Sequence, residues 1–293
     1  MTTSINLISS DNWTDYELLD SGDGQKLERF GEYKFVRPEV QAIWKKKLSP
    51  VDWESAQAHF QASGEESGGH WVFSQKIPER WMMRYGNIKF WAQTTPGRHL
   101  GVFPEGAAHW DWMNALIKPA AEPVNVLNLF GYTGLATLAA ASAGAHVTHV
   151  DASKKSVSWA RENQVLSELQ PHPIRWIVDD ALKFVQREVR RGVKYQGLII
   201  DPPKFGRGPK GEVWEVFRSL PVLLDSCRDL LDQKTLFAVL TVYAVKTSSV
   251  HINTVLHDML EGHSGQIESG ELVTRERSAG RLLSSAVFAR WRA

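Results

Sequence analysis

Two stretches of this chain hold the residue types that ligand chemistry needs. Residues 126–134 read Val-Leu-Asn-Leu-Phe-Gly-Tyr-Thr-Gly, and Asp201-Pro202-Pro203-Lys204-Phe205 follows about 70 residues later. In the first, Gly131 and Gly134 permit a tight turn and a close approach of backbone to a ligand. The G-x-G-x-x-G pattern of dinucleotide folds lacks its first glycine here, and no Gly-Lys-Ser/Thr follows to make a P-loop. Tyr132 in the turn leaves less room for a pyrophosphate and suits a smaller ligand. In the second, the apolar run Gly197–Ile200 stops at an acid and two prolines, which offer carbonyl acceptors and no amide donors. A carboxylate beside such carbonyls can orient an amino or ring N–H group, and Phe205 can stack on a base. The following segment, 206–211, reads as a mobile basic loop suited to phosphates.

Further acids fall where strands should end. Asp151 lies 20 residues after Gly131, close to the offset at which an acid meets ribose hydroxyls. A carboxylate can accept two hydrogen bonds from a vicinal diol. Ser153 is the better N-cap for the helix expected from Lys154, which frees Asp151 for a ligand. Asp179 and Asp180 precede Ala181; Asp180 can accept from an exocyclic amine, and either acid can equally cap the next helix.

The elements that position these residues follow from periodicity. After about residue 122, strands alternate with helices: strands at 124–130, 146–151, 174–178, 196–201 and 236–243, and helices at 133–143, 154–166, 181–191, 213–231 and 248–260. That alternation implies βαβ units and a mainly parallel sheet. Two closing strands, near 266–273 and 284–290, imply an antiparallel edge. Because ligands of open α/β sheets bind at the carboxyl ends of strands, both motifs belong to one crevice. Residues 1–90 read as a small β-rich N-terminal domain for substrate recognition or assembly, with 91–293 as the ligand-binding domain. A loop or hairpin end is expected at 63–69.

Composition narrows the class. The chain has 293 residues, 43% hydrophobic and 23% charged, with a formal net charge of +1, so no global field demands nucleic acid. Cys227 is the only cysteine, which excludes an internal disulfide and a cysteine-built metal cluster. No metal-ligand spacing is recognisable, and the ten histidines are scattered, His109 and His149 reading as packed residues. No apolar run reaches the ~20 residues of a membrane span, and the polar start lacks a signal-peptide core, so a cytoplasmic enzyme is expected.

Asn128-Leu-Phe130-Gly131-Tyr132-Thr133-Gly134, Asp151, Asp179-Asp180 and Asp201-Pro-Pro-Lys-Phe205 resemble successive motifs of the class I S-adenosylmethionine-dependent methyltransferases. The nearest likeness is to bacterial 23S ribosomal-RNA methyltransferases of the large subunit with an Asp-Pro-Pro-x-Phe motif, over residues 98–290. The resemblance implies a Rossmann-like seven-stranded, mainly parallel sheet with S-adenosylmethionine over the ends of the first three strands. It implies a cofactor site of Asn128, Phe130, Gly131, Tyr132, Thr133, Gly134, Asp151, Ala152, Ser153, Asp179, Asp180, Ala181 and Asp201. Residues 100–105 resemble a segment that lies over the cofactor in that family, which adds Phe103 and Glu105. Asp201, Pro202, Pro203, Lys204 and Phe205 become the catalytic segment, with Tyr243 as a second wall and ribosomal RNA as the substrate. Some relatives use a cysteine adduct after the fifth strand. Here 240–244 holds no cysteine, so direct transfer to a nucleobase is expected. Competing readings are a small-molecule or protein methyltransferase, a catalytically silent S-adenosylmethionine-binding module, and an NAD-dependent oxidoreductase, which the missing glycine and the Asp-Pro-Pro disfavour.

Overall fold

The computed structural model describes residues 4–63, 68–243 and 247–293. Part of the expected loop at 63–69 and Ala244 lie outside the described residues. The chain divides into two compact units: a larger one of residues 1–8, 106–272 and 285–293, and a smaller one of residues 9–105 and 273–284. This division differs from the expected break at 90/91.

In chain order, β1 (Asn6–Ile8) belongs to the larger unit, and the smaller unit then begins. Its sheet is built from β2 (Tyr16–Gly22), β3 (Gln25–Phe30), β4 (Tyr33–Pro38), β5 (Ala58–Ala62) and β6 (Gly69–Phe73), in that spatial order, with α1 (Pro50–Glu54) between β4 and β5. A separate ribbon pairs β7 (Trp81–Tyr85) with β8 (Ile88–Ala92). Alternation marks the ribbon: Trp81, Met83 and Tyr85 are buried while Met82 and Arg84 are exposed. In the core of this unit Arg37 donates through Nε and Nη2 to the two Glu28 oxygens at 2.7 Å each. Tyr16 donates to the same carboxylate, so a buried charge is fully hydrogen-bonded.

The larger unit continues with α2 (Ala107–Ile117), β9 (Asn125–Leu129), α3 (Leu135–Ser142), β10 (His146–Asp151), α4 (Lys154–Leu166), β11 (Ile174–Val178) and α5 (Ala181–Arg190). Then come β12 (Gly197–Ile200), β13 (Phe205–Arg207), β14 (Val213–Glu215), α6 (Val216–Arg228), β15 (Phe237–Tyr243), α7 (Ser249–Met259), β16 (Gln266–Arg275) and β17 (Leu282–Arg292). Among the described residues the main sheet has eight strands in the order β1-β16-β17-β15-β12-β9-β10-β11. β12 is buried at every position and β9 at all but the first, as strands covered by helices on both faces require. β17 runs antiparallel to β15, giving the expected reversed edge. The seven-strand expectation is corrected by β1, which pairs parallel to β16 through Asn6↔Gly270 and Leu7↔Glu271. Three residues are too few to show a period, so this strand had no signal in the sequence.

A second correction concerns the segment after Phe205. Residues 206–211 are not one open loop: β13 and β14 form an antiparallel hairpin, with Phe205 opposite Glu215 and Arg207 opposite Val213. The helix expected from 213 begins only at Val216.

Candidate active site

Register places the two sequence motifs together. Leu129 pairs with Val150 on one side and with Ile200 on the other. The next residues, Phe130, Asp151 and Asp201, therefore stand at one level at the ends of β9, β10 and β12, Asp151 still pairing with Val178 of β11. Asp201 is half-buried there.

The turn after β9 is more strained than its glycines suggest. Phe130 (φ 59°) and Tyr132 (φ 49°) occupy the left-handed region, as does Gly134 (φ 84°). Left-handed backbone at non-glycine residues persists only where the surroundings over-determine it. Gly131 is required for a different reason: a Cβ there would lie 2.5 Å from His149 Nδ1. The buried His149 ring thus packs directly beneath the turn. Its Nδ1 lies 2.9 Å from Thr137 Oγ1, which accepts from Asn128 Nδ2 at 2.9 Å. Because Asn128 donates to that hydroxyl, Thr137 is free to donate to Nδ1. Burial drives the imidazole pKa down to about 3, keeping it neutral. From α4, Asn163 Nδ2 donates to the Thr133 carbonyl at 2.9 Å.

Asp151 closes the turn from β10. Its Oδ2 accepts from Tyr132 N at 2.8 Å and its Oδ1 from Ser153 N at 2.8 Å. Each oxygen keeps capacity for a second bond, which is what a vicinal diol needs. Burial raises the carboxyl pKa, and the two backbone N–H groups oppose that rise. Burial first, and the Asp151 charge second, push the Tyr132 phenol up to about 12. Ser153 caps α4 by accepting from Ser156 N, and Ala152 lies half-exposed between the two.

After β11 the open choice resolves by geometry. Asp180 is the N-cap of α5, its Oδ1 accepting from Lys183 N at 3.0 Å. Asp179 instead accepts from Asp180 N and pairs with Arg187. Ala181 is buried in the core.

The Asp-Pro-Pro segment is anchored by a residue that sequence reasoning missed. Trp214 Nε1 donates to the Pro203 carbonyl at 2.7 Å, and its ring lies 4.7 Å from that of Phe130. One buried indole thus ties the two motifs together. Pro202 is buried and Pro203 exposed, while Phe205 is 58% exposed with Lys204 Nζ 5.3 Å from its ring centroid. Tyr243 ends β15, half-buried and packed against Leu272, Ala286 and Phe288. Phe103 and Glu105 belong to the smaller unit, where the Phe103 ring lies 4.9 Å from His99. Asn163 had a weak sequence signal: it continues the buried stripe Val157–Ala160 of α4 as a polar residue on an apolar face. Trp214 had none, because its partners lie across the hairpin and the sheet.

The residues fit S-adenosylmethionine: a tight turn with two left-handed non-glycine residues, a glycine with no room for a side chain, and a carboxylate with spare acceptor capacity at the next strand end. Among the described residues, no group of three or more His, Cys, Asp or Glu is placed to hold a metal ion, and no helix is long and apolar enough to cross a membrane.

No protein-family model matches the chain. The crystal structure of the S-adenosylmethionine-dependent methyltransferase from Agrobacterium tumefaciens is 45% identical over 100% of this chain and 96% of that one, with a TM-score of 0.94. SMU.776, solved in complex with SAH, superposes with a TM-score of 0.72 at 19% identity, over 96% of this chain and 76% of that one, a likeness of fold alone. Among curated proteins, "Ribosomal RNA large subunit methyltransferase K/L" of Shewanella frigidimarina is 36% identical over 118 residues, 40% of this chain and 16% of that protein. The protein of the same name from Syntrophotalea carbinolica is 31% identical over 155 residues, 53% and 20% respectively. The match thus spans a sixth to a fifth of these curated relatives' length.

Proposed function

The chain belongs to the S-adenosylmethionine-dependent methyltransferases, and on that premise we propose that it methylates a nucleobase nitrogen by direct transfer, with ribosomal RNA as the substrate in the cytoplasm. The observation that carries this reading is the end of β12. Asp201 presents a carboxylate, Pro202 and Pro203 supply no N–H, and the Pro203 carbonyl is taken by Trp214. The Asp201 carboxylate and the Pro202 carbonyl are acceptors beside an exposed aromatic ring, the complement of a planar group bearing an N–H. The names of the curated relatives support RNA as its source.

The cofactor supplies an activated methyl group on its sulfonium; the protein supplies position and water exclusion. In this reading the 130–134 turn and Asp151 hold the cofactor, Asp151 through the ribose hydroxyls, with Asp180 and the Ala181 backbone near the base. Asp201 Oδ and the Pro202 carbonyl accept from the amine and fix the nitrogen lone pair, and Phe205 stacks on the ring. The amine proton leaves to the Asp201 carboxylate. A paired acceptor base must leave its stack to reach this strand end. Cys227 takes no part: it is buried in α6, and burial pushes its thiol up to about 12, the opposite of an activated nucleophile. The smaller unit serves substrate recognition.

The test is tritium-methyl transfer to ribosomal RNA from a strain lacking this protein, with wild type and Asp201→Ala. Incorporation should fall by about 10² or more in the variant, as loss of acceptor positioning implies, while S-adenosylhomocysteine affinity holds. Unchanged turnover removes Asp201 from the role. Labelling of small molecules or protein with none in RNA overturns the substrate class.

A further inference from the structure

The opposite end of the same sheet carries a second concavity with its own chemistry. It has a volume of about 590 Å³ and lies at the amino ends of β9, β10 and β11, lined by His146, Arg175, Glu188, Arg191, Lys194 and Tyr195 among others. His146 begins β10 and Asp151 ends it, so this hollow is separated from the cofactor turn by the strand's length, about 17 Å at the usual rise.

The Glu188 side chain is buried and fully hydrogen-bonded. Arg191 Nη1 donates to Oε1 at 3.0 Å; Arg175 Nη1 at 3.0 Å and Tyr195 OH at 2.8 Å donate to Oε2. These bonds hold the carboxyl pKa below its ordinary value against burial. One buried carboxylate therefore fixes two guanidiniums in place, each of them about half exposed. Arg175 is further braced over the Phe184 ring, 5.4 Å from its centroid. Lys194 adds a third cation, with its ammonium anchored on the Asp229 and Leu231 carbonyls at 2.8 and 3.0 Å.

Two guanidiniums thus stand on one carboxylate with Lys194 on the same lining, and each guanidinium has five N–H donors of which Glu188 takes one. The carbonyl end of α5, which would repel an anion, is capped from within: Gly192 N donates to the Val189 carbonyl and Val193 N to that of Glu188. The surplus is positive charge on pre-positioned forks that match phosphate oxygens. Its volume is that of an ordinary small-ligand pocket.

We propose that this hollow is a phosphate-ester site, remote from the methyl-transfer centre, which binds either a free nucleotide or the backbone of an RNA strand. It does not depend on the methylated substrate being RNA.

The experiment titrates the full chain with adenosine 5′-monophosphate and, separately, with a fluorescein-labelled single-stranded oligouridylate, each with S-adenosylhomocysteine saturating the cofactor site. The variant is Arg175→Gln with Arg191→Gln, which keeps an amide donor for Glu188 and removes both charges. The expected result is salt-sensitive binding of at least one probe, weakened about tenfold or more in the variant, as loss of charge-assisted hydrogen bonds implies. Binding of the monophosphate identifies a free nucleotide as the source; binding of the oligonucleotide alone identifies an RNA backbone. No binding of either probe, or equal binding by the variant, overturns the site. S-adenosylhomocysteine affinity of the variant reports folding, and Lys194→Ala, which leaves Glu188 its three donors, repeats the test should the double variant fail to fold.

Discussion

The turn at 130–134 and the segment at 201–205 leave neighbouring strands at one level, yet they are held in opposite ways. The turn is fixed from beneath: His149, Thr137 and Asn128 form a buried polar chain, Asn163 holds the Thr133 carbonyl, and Asp151 takes two backbone donors. The Asp-Pro-Pro segment is fixed by its own rings, by Trp214 on the Pro203 carbonyl, by Val216 N on the Lys204 carbonyl at 3.0 Å and by the β13–β14 pairing, with the Phe205 ring exposed. The turn therefore depends on packing that leaves no room for a side chain at Gly131, whereas the 201–205 segment ends in an exposed ring. In the proposed function, the first binds a molecule of constant shape and the second meets whatever the substrate presents.

The largest effect that would break this contrast is expected from Gly131→Ala. The new methyl would enter the buried His149 ring, so the turn must shift or the protein lose about 1–3 kcal/mol, as overpacked sites do. S-adenosylhomocysteine affinity should collapse, and calorimetric titration reads it; wild-type affinity would mean the turn is pliable. Asp151→Asn comes next, weakening the cofactor by about tenfold through loss of charge-assisted bonds. The same group sets a pH dependence. Its folded pKa is raised, so the folded form binds the proton more tightly than the unfolded chain; stability contributed by this group falls as pH climbs from its ordinary value through the raised one. Cofactor binding needs the ionised form, so affinity should be full above the raised pKa and fall as pH drops through it. A flat profile in that range sinks the ribose assignment.

On the acceptor side, Phe205→Ala should raise KM for RNA by about tenfold, the lower part of what base stacking supplies, with the melting temperature unmoved because the ring is exposed. A fall in melting temperature would show that the acceptor end is packed like the turn. Smallest of all, Cys227→Ala should leave turnover at wild-type level and cost about 1 kcal/mol of stability; loss of turnover with the fold intact would bring back a covalent route.

The sequence announced these motifs because each compresses its cause into adjacent residues: prolines after an apolar run, glycines after another, an acid at a fixed offset. The Ser153 cap was equally local. What stayed hidden depends on distant partners. The β13–β14 hairpin read as a loop because Gly206, Gly208, Pro209 and Gly211 dominate it and its paired stretches are three residues long. Trp214 gives no hint that it anchors Pro203. Residues 273–284 join the smaller unit through pairs such as Ser278 Oγ donating to Asp20 Oδ1 at 2.7 Å, across 258 positions of chain. No window of local periodicity reaches that far.

The edge strand β1 has a consequence for how the chain comes to be made. Asn6 pairs with Gly270, where any side chain would collide with the Asn6 backbone. On a ribosome, those early residues must wait until their partner strand has left the exit tunnel. Contacts this remote are the slow ones to form. The larger unit can complete its sheet only late in synthesis, after the whole first segment of the smaller unit has had time to fold. A label or cleavage that disturbs Asn6–Ile8 would uncover a β16 edge able to pair with another chain.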